Sequence, residues 1–543
     1  MKNKFQNILE LAISNLGFPK NKIIIQVPKN PDHGDFTTNY PMINCKEIGK
    51  SPMETAEMIV EEIKNISNPI IEEINFVSPG FINTKINKNI LSNELQNIIT
   101  LDYNYGKNDK GEGKKVLVEF VSANPTGPLT VGHGRNAILG ATVSNILNWN
   151  GYTVEKEYYF NNAGRQMRVL GESVYVRYME LLKIKMDIPE GGYEGLYIKD
   201  IAKKIYELHG DKLKDDKENP IFKETAESYI FKDIEKTLLK IGLKFDSFFN
   251  EKTLYENNGI EDIIKKLKAK DLAYEKEGAL WFKATSTGRD VDRVIIKSSG
   301  EPTYRLPDIA YHKDKFDRGY DIMIDVFGAD HMDAYPDVIA ALKALGYSES
   351  KIKVLIHQFV TILKDGEPVK MSTRKANFIS LDKLIDEVGP DITRFFFIMR
   401  SMNTHLNFDI NLAKEQSDVN PVFYIQYAHA RCCNILRRFD GNIDELNPNI
   451  LSELKTDLES QIIGKLLSFP ELINKSSDTL EPQNISNYLM ELSSNFHSYY
   501  AKERVIGLEN KKLTEARIYL INSIRIIIRN GLQVLGIGAP EKM

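Results

Sequence analysis

The chain of 543 residues carries 71 basic and 75 acidic side chains, a formal charge of −4. This balance excludes a protein that holds nucleic acid by bulk charge, so any such contact must come from local patches. The three cysteines, Cys45, Cys432 and Cys433, form no CxxC pair, and reduced thiols in a cytoplasmic protein fit them best. No apolar run reaches membrane-spanning length, since even 518–528 is broken by Asn522 and Arg525. Roughly three or four domains are expected from the length.

In chain order, residues 1–105 read as an α+β unit, with helices over 4–16 and 51–66, a β-like run at 23–27 and paired strand material at 76–86. A polar linker follows at 106–114. The apolar run 116–121 contains one acid, Glu119, and reads as a strand buried on both faces of a parallel sheet. A turn at 123–128 leads to Leu139, Val143, Ile146 and Leu147 at helical spacing, so a helix is predicted from near Val131. Its first turn carries Thr130, Gly132 and His133. A helix start presents unpaired N–H groups and a positive dipole end, which suit phosphate. Taken alone, the pattern also fits an ordinary α/β crossover with a surface histidine.

A second strand is predicted at 152–160, ending in the polar run Asn161 to Gln166. Residues 183–275 are rich in lysine and glutamate at helical spacing and read as a helical insertion. Strand-like runs at 278–282 and 293–297 lead to Tyr304 and Asp308, with Pro307 placed as the first residue of a helix. An apolar strand then ends in Gly328-Ala329-Asp330-His331, and a carboxylate at such a strand end suits ribose hydroxyls. A helix at 335–345 and strand material at 354–363 precede the basic run Lys370-Met371-Ser372-Thr373-Arg374-Lys375. From 412 the pattern is all-helical. Tyr427 with Arg431, and Tyr500 with Arg504, are ring and guanidinium four residues apart, able to stack on splayed bases. For either pair taken alone, a half-buried tyrosine beside an arginine reaching water is the commoner arrangement.

The 130–133 turn resembles the HIGH signature of class I aminoacyl-tRNA synthetases, with Thr130 where the first histidine is expected. The 370–373 run resembles their KMSK loop, with Thr373 in place of the last lysine and Arg374 and Lys375 next. The string 119–128 is similar to that of arginyl-tRNA synthetases, as are GDF at 34–36 and PGFIN at 79–83. The resemblance spans nearly the whole chain. It implies a Rossmann-like, doubly wound parallel-sheet α/β catalytic domain at 106–411, carrying the insertion at about 183–275. Around it would lie an N-terminal α+β tRNA-contacting domain at 1–105 and a C-terminal all-α anticodon-binding bundle at 412–543.

The implied reaction is ATP-dependent attachment of L-arginine to tRNA(Arg) through arginyl-adenylate, with activation only when tRNA is present. Glu119, Ser122, Asn124, Tyr304 and Asp308 would hold arginine, since two carboxylates and a phenol match a planar guanidinium. Pro125, Gly132, His133, Asn136, Gly328, Asp330, His331, Lys370, Met371 and Ser372 would hold ATP. Thr130, His133, Lys370 and Arg374 would stabilise charge in the reaction. Phe81, Asn83, Tyr427, Arg431, Tyr500, Arg504 and Met543 would touch tRNA. Mg²⁺ would arrive with the nucleotide, with no dedicated protein site, and the enzyme would act as a cytoplasmic monomer. The family usually has an acid at Asn162; if that acid helps attract the substrate's cation, another carboxylate must do so here. Among rivals, a Rossmann oxidoreductase lacks GxGxxG and a P-loop NTPase lacks GxxxxGK[ST]. A small HxGH nucleotidyltransferase leaves both terminal domains idle. A non-catalytic RNA-binding paralogue stays open because Thr130 and Thr373 replace signature residues.

Overall fold

The computed structural model describes residues 2–28, 30–66, 68–369 and 379–543, so the basic run at 370–375 lies outside the described residues. In the N-terminal unit, helices Lys2–Asn15 and Pro52–Asn65 pack against a four-stranded antiparallel sheet. Its spatial order is Ile25–Gln26, Phe36–Thr38, Phe81–Ile86, Ile71–Val77. Phe5, Leu9, Ile59 and Ile63 from the helices meet Ile74 and Ile82 from the strands in one apolar cluster. Ser51 starts the second helix with a capping box, accepting from the Glu54 N–H while Glu54 accepts from its own N–H. Only two residues of the predicted 23–27 strand pair, because the neighbouring strand has three.

Helix Lys88–Leu101 belongs elsewhere. Its Leu95 and Ile98 enter the large core shared by the later regions, not the N-terminal cluster. The packing boundary therefore falls ahead of this helix, not at the predicted 105. The predicted 106–114 linker is also fastened down. The Asn108 N–H donates to the Trp149 carbonyl and the Gly111 N–H to that of Asn150.

The catalytic region is built on β1 (Lys115–Glu119), α1 (Val131–Trp149), β2 (Thr153–Phe160), β3 (Ser247–Asn250), α2 (Arg305–Asp317), β4 (Ile322–Gly328), α3 (Tyr335–Leu345) and β5 (Ile352–His357). All four strand pairs are parallel, in the order β5-β4-β1-β2-β3. The sheet is thus the expected doubly wound α/β arrangement, reversing direction between β1 and β4. The apolar period of α1 buries Leu139, Val143, Ile146 and Leu147, and Gly140 lets the helix come close to the sheet. A Cβ there would meet the Phe120 ring at 2.2 Å.

Arg135, buried on the same helix, ties it to the carbonyls of Gln358, Thr404 and Ser401 at 2.7–3.0 Å. Helices Leu196–His209 and Pro220–Lys240 form the insertion. The predicted limit of 275 is too late, since β3 already belongs to the main sheet. Helix α2 begins two residues earlier than predicted, placing Pro307 third in the first turn, where a missing N–H is harmless. The predicted 354–363 strand is two, with Val360–Lys364 pairing with Leu406–Asp409 in a separate sheet.

The C-terminal region is a helical bundle that includes α4 (Pro421–Arg437), α5 (Gln483–Lys502) and α6 (Lys511–Leu535). Among the described residues, no helix is long and apolar enough to cross a membrane.

Candidate active site

Where a parallel sheet reverses its strand order, the crevice beyond the strand ends binds ligands. Here Glu119, the last residue of β1, lies opposite Asp325 of β4, and the crevice above them is a cleft of about 750 Å³. After Glu119 the backbone bends sharply through Val121 (φ 67) and Ser122 (φ 43). This left-handed region strains L-residues, β-branched ones most. Asn136 of α1 pins the corner. Its Oδ1 accepts from the Val121 N–H at 2.6 Å, while its Nδ2 donates to the Val326 carbonyl at 2.8 Å and faces His357 Nε2 at 3.2 Å. Expected to hold ATP, Asn136 lines the cleft but commits its amide to joining the two walls.

One end of the cleft is acidic. Glu119 Oε1 accepts from the Ser122 hydroxyl at 2.9 Å, and Oε2 accepts from Lys315 Nζ at 2.7 Å. Lys315 also donates to Asp325 Oδ1 at 2.6 Å. Burial pushes the Glu119 carboxyl above its usual range, and the Lys315 ammonium opposes this. Burial acts the same way on Asp325, yet Lys315 and His312 hold it well below the usual carboxylate range. Asp308, on the first turn of α2, is pushed up to about 7 by burial, with Glu119 and Glu251 adding to the rise. Tyr304 caps this helix at the cleft mouth and is 77% exposed. Asn124 lines the wall with both amide atoms engaged, accepting from the Asn161 N–H at 3.0 Å and donating to Gln166 at 2.9 Å.

The other end is a helix start. Thr130 caps α1, its hydroxyl accepting from the His133 N–H at 3.4 Å, while His133 Nδ1 accepts from the Thr130 N–H at 3.2 Å. An Nδ1 that accepts leaves the ring hydrogen on Nε2, where it is a donor. Burial pushes this imidazole down to about 4, so it is uncharged at neutral pH. Gly328, the last residue of β4, and Asp330 and His331, just past it, line the facing wall. Ser380, the second residue after the undescribed stretch, pairs with Thr130 in an antiparallel bridge.

Of the predicted arginine, ATP and catalytic residues, Glu119, Ser122, Asn124, Thr130, Gly132, His133, Asn136, Tyr304, Asp308, Gly328, Asp330 and His331 all line this one cleft. Pro125 does not; it is buried beneath the loop. Lys370, Met371, Ser372 and Arg374 lie outside the described residues. Among the predicted tRNA contacts, Asn83 is 5% exposed within the N-terminal sheet and Phe81 is half-buried, so Asn83 offers little edge to a base. Arg431 stacks on two rings, Tyr427 at 5.3 Å and Tyr500 at 4.7 Å. Arg504 is not the helical neighbour of Tyr500 that its spacing suggests. Helix α5 stops at Lys502, and the Arg504 guanidinium turns back to the Ile506 carbonyl at 3.0 Å. Met543 is exposed at the chain end.

Two residues of the site carried no readable signal. Glu251, buried just past β3, lines the cleft and accepts from the Tyr159 hydroxyl at 2.7 Å. It adds a carboxylate to the cleft, whereas Asn162 donates to Glu227 at 2.7 Å. Lys315 sits in a Lys-Asp-Lys run that reads as a solvated helix face.

Three family models match the chain in turn. They are the arginyl tRNA synthetase N-terminal domain at 2–86, the class I tRNA synthetase (R) catalytic domain at 94–394 and the DALR anticodon-binding domain at 425–543. An arginine–tRNA ligase of Desulfotalea psychrophila is 46% identical over 525 residues, covering 96% of this chain and 95% of its own. One of Salinibacter ruber is 43% identical over 540 residues, with 96% of each chain covered. In structure, the Thermus thermophilus arginyl-tRNA synthetase aligns over 100% of both chains with a TM-score of 0.78 at 21% identity, a likeness of fold.

Proposed function

The chain belongs to the arginyl-tRNA synthetases, class I arginine–tRNA ligases, and on that premise we propose how its cleft divides the reaction. The acidic end takes the arginine side chain. Asp308, Glu119 and Glu251 offer carboxylate oxygens to the five donors of a guanidinium, and Tyr304 closes over it from the mouth. Asn124 fixes the amino-acid backbone. ATP lies across the start of α1, with Gly132 leaving room for the base and Asp330 and His331 on the ribose side. The arginine carboxylate attacks the α-phosphorus, the bond to the bridging oxygen breaks, and pyrophosphate leaves. The terminal 2′-hydroxyl of tRNA(Arg) then attacks the acyl carbon and AMP departs.

Catalysis here is placement plus stabilisation of phosphate charge. The Nε2–H of His133, the Thr130 hydroxyl and the free N–H groups of α1 point donors at the phosphates. Lys370 and Arg374 are the cations proposed for the departing pyrophosphate. The neutral donors suit phosphate oxygens, and a Mg²⁺ carried on those oxygens would add neutralising charge. Arg431 between Tyr427 and Tyr500 is the proposed stacking platform for splayed tRNA bases. A monomer working in the cytoplasm completes the proposal.

One observation carries this reading: carboxylates crowd one end of a cleft whose other end is a capped helix start. Aminoacylation of tRNA(Arg) with each of the twenty amino acids tests it, with charging expected for arginine alone. ATP–pyrophosphate exchange should appear only when tRNA(Arg) is added. Charging by another amino acid would remove the arginine assignment, and robust exchange without RNA would remove the tRNA requirement.

A further inference from the structure

A buried ammonium stands behind the arginine wall. Lys315, near the end of α2, is 0% exposed and does not line the cleft, so it touches no substrate. Its Nζ reaches Glu119 on β1 and Asp325 on β4 at once, at 2.7 and 2.6 Å. The second oxygen of each acid is also held, that of Glu119 by the Ser122 hydroxyl and that of Asp325 by His312 Nε2 at 2.9 Å. His312 Nδ1 lies 2.8 Å from the Asp308 carbonyl oxygen. A continuous polar chain thus runs from Glu119 to Asp308 behind the wall, and both ends face the cleft.

Stability is a weak reason for this arrangement. Desolvating three charges offsets much of their attraction, and packed apolar side chains of the same volume often stabilise as well. What the chain does provide is direction and charge. Glu119, Asp325, Asp308 and Glu251 all line the wall. Crowded carboxylates in a low-dielectric site relieve their repulsion by taking up a proton, and a protonated acid is a poor acceptor for a guanidinium. One fixed ammonium between two of the four acids limits that response and still leaves the wall negative for an incoming cation.

We infer that Lys315 is a positioning residue for arginine, acting through Glu119, whose carboxylate it holds aimed into the cleft before the amino acid arrives. The inference rests on the reading of this wall as the arginine site.

Lys315→Met keeps the length of the side chain and removes its charge. In aminoacylation assays the arginine KM should rise at least about tenfold, the range of one charged hydrogen bond, while the ATP KM stays within about threefold. In a Glu119→Gln background, Lys315→Met should change the arginine KM by less than about threefold, because the acid it acts through is already neutral. Three results overturn the inference: an unchanged arginine KM in folded Lys315→Met, equal rises for arginine and ATP, or a further tenfold rise in the Glu119→Gln background. Should Lys315→Met alone fail to fold, Glu119→Gln against the double variant decides by the last criterion. A wild-type enzyme that charges no arginine overturns the parent reading instead, whatever the variants do.

Discussion

The two ends of the cleft are built on opposite plans. At the acidic end three of the four acids have an interior partner: Glu119 has Lys315 and Ser122, Asp325 has Lys315 and His312, and Glu251 has Tyr159. At the phosphate end the described donors are neutral and local, a capping threonine and an uncharged histidine on one helical turn. On the proposed reading, selection is laid down in advance by strands β1 and β4 and helix α2, and phosphate chemistry leans on backbone N–H groups and one imidazole. The contrast teaches that recognising a cation draws on anions fixed in advance, whereas charge that develops during reaction can be met by dipoles already in place.

The largest expected effects break the phosphate end. His133→Ala should slow adenylate formation about 10²–10³-fold in pre-steady-state assays with tRNA, the loss usual for one transition-state donor. Arg374→Ala should fall in the same range, about 10²–10³-fold, with Thr373→Ala near normal, since only the arginine can neutralise pyrophosphate. Silence at both His133 and Arg374 would leave the helix dipole alone and erase the division drawn between the ends.

Asp308→Asn tests the acidic end. It removes a charge-assisted pair of about 1.5–3 kcal/mol, so the arginine KM should rise roughly 10–150-fold while the ATP KM hardly moves. Equal losses for both substrates would assign Asp308 to folding instead. A subtler effect follows from acidity. Because Asp308 is raised to about 7, its ionised form is lost as pH falls through that value. The arginine KM should climb by up to about tenfold between roughly pH 8 and 6, and Asp308→Asn should flatten the climb. A flat wild-type profile would place the carboxyl well below 7. The smallest effect is structural: Thr130→Ala removes the cap of α1 and should reduce stability by about 1 kcal/mol in denaturant unfolding.

The same contrast sorts what the sequence could tell. Glu119 and Asp308 were legible because each acid interrupts an apolar or helix-start pattern where a charge needs a reason. Thr130 to His133 were legible because a capped helix follows an apolar strand. Lys315 was not, since a lysine between acids on a helix looks solvated until the fold turns that face inward. Glu251 was hidden because β3 is four residues long and sits at the end of a lysine- and glutamate-rich stretch. Arg504 misled because four-residue spacing pairs side chains only while the helix lasts, and α5 ends before it. Helix Lys88–Leu101 belongs to the later core by tertiary packing, which no local pattern records.

Val121 and Ser122 give the active centre a reversal of backbone handedness over two successive residues. Glycine would adopt those angles without strain, but at the second position it would lack the hydroxyl that reaches back to Glu119 and accepts from the Tyr159 N–H. The mirror-image corner swings that hydroxyl under the acid three residues earlier and brings the Val121 N–H to Asn136. A local change of backbone handedness thereby sets the compass bearing of a charge: the strand delivers Glu119 to the rim, and the left-handed step behind it decides which way the acid faces.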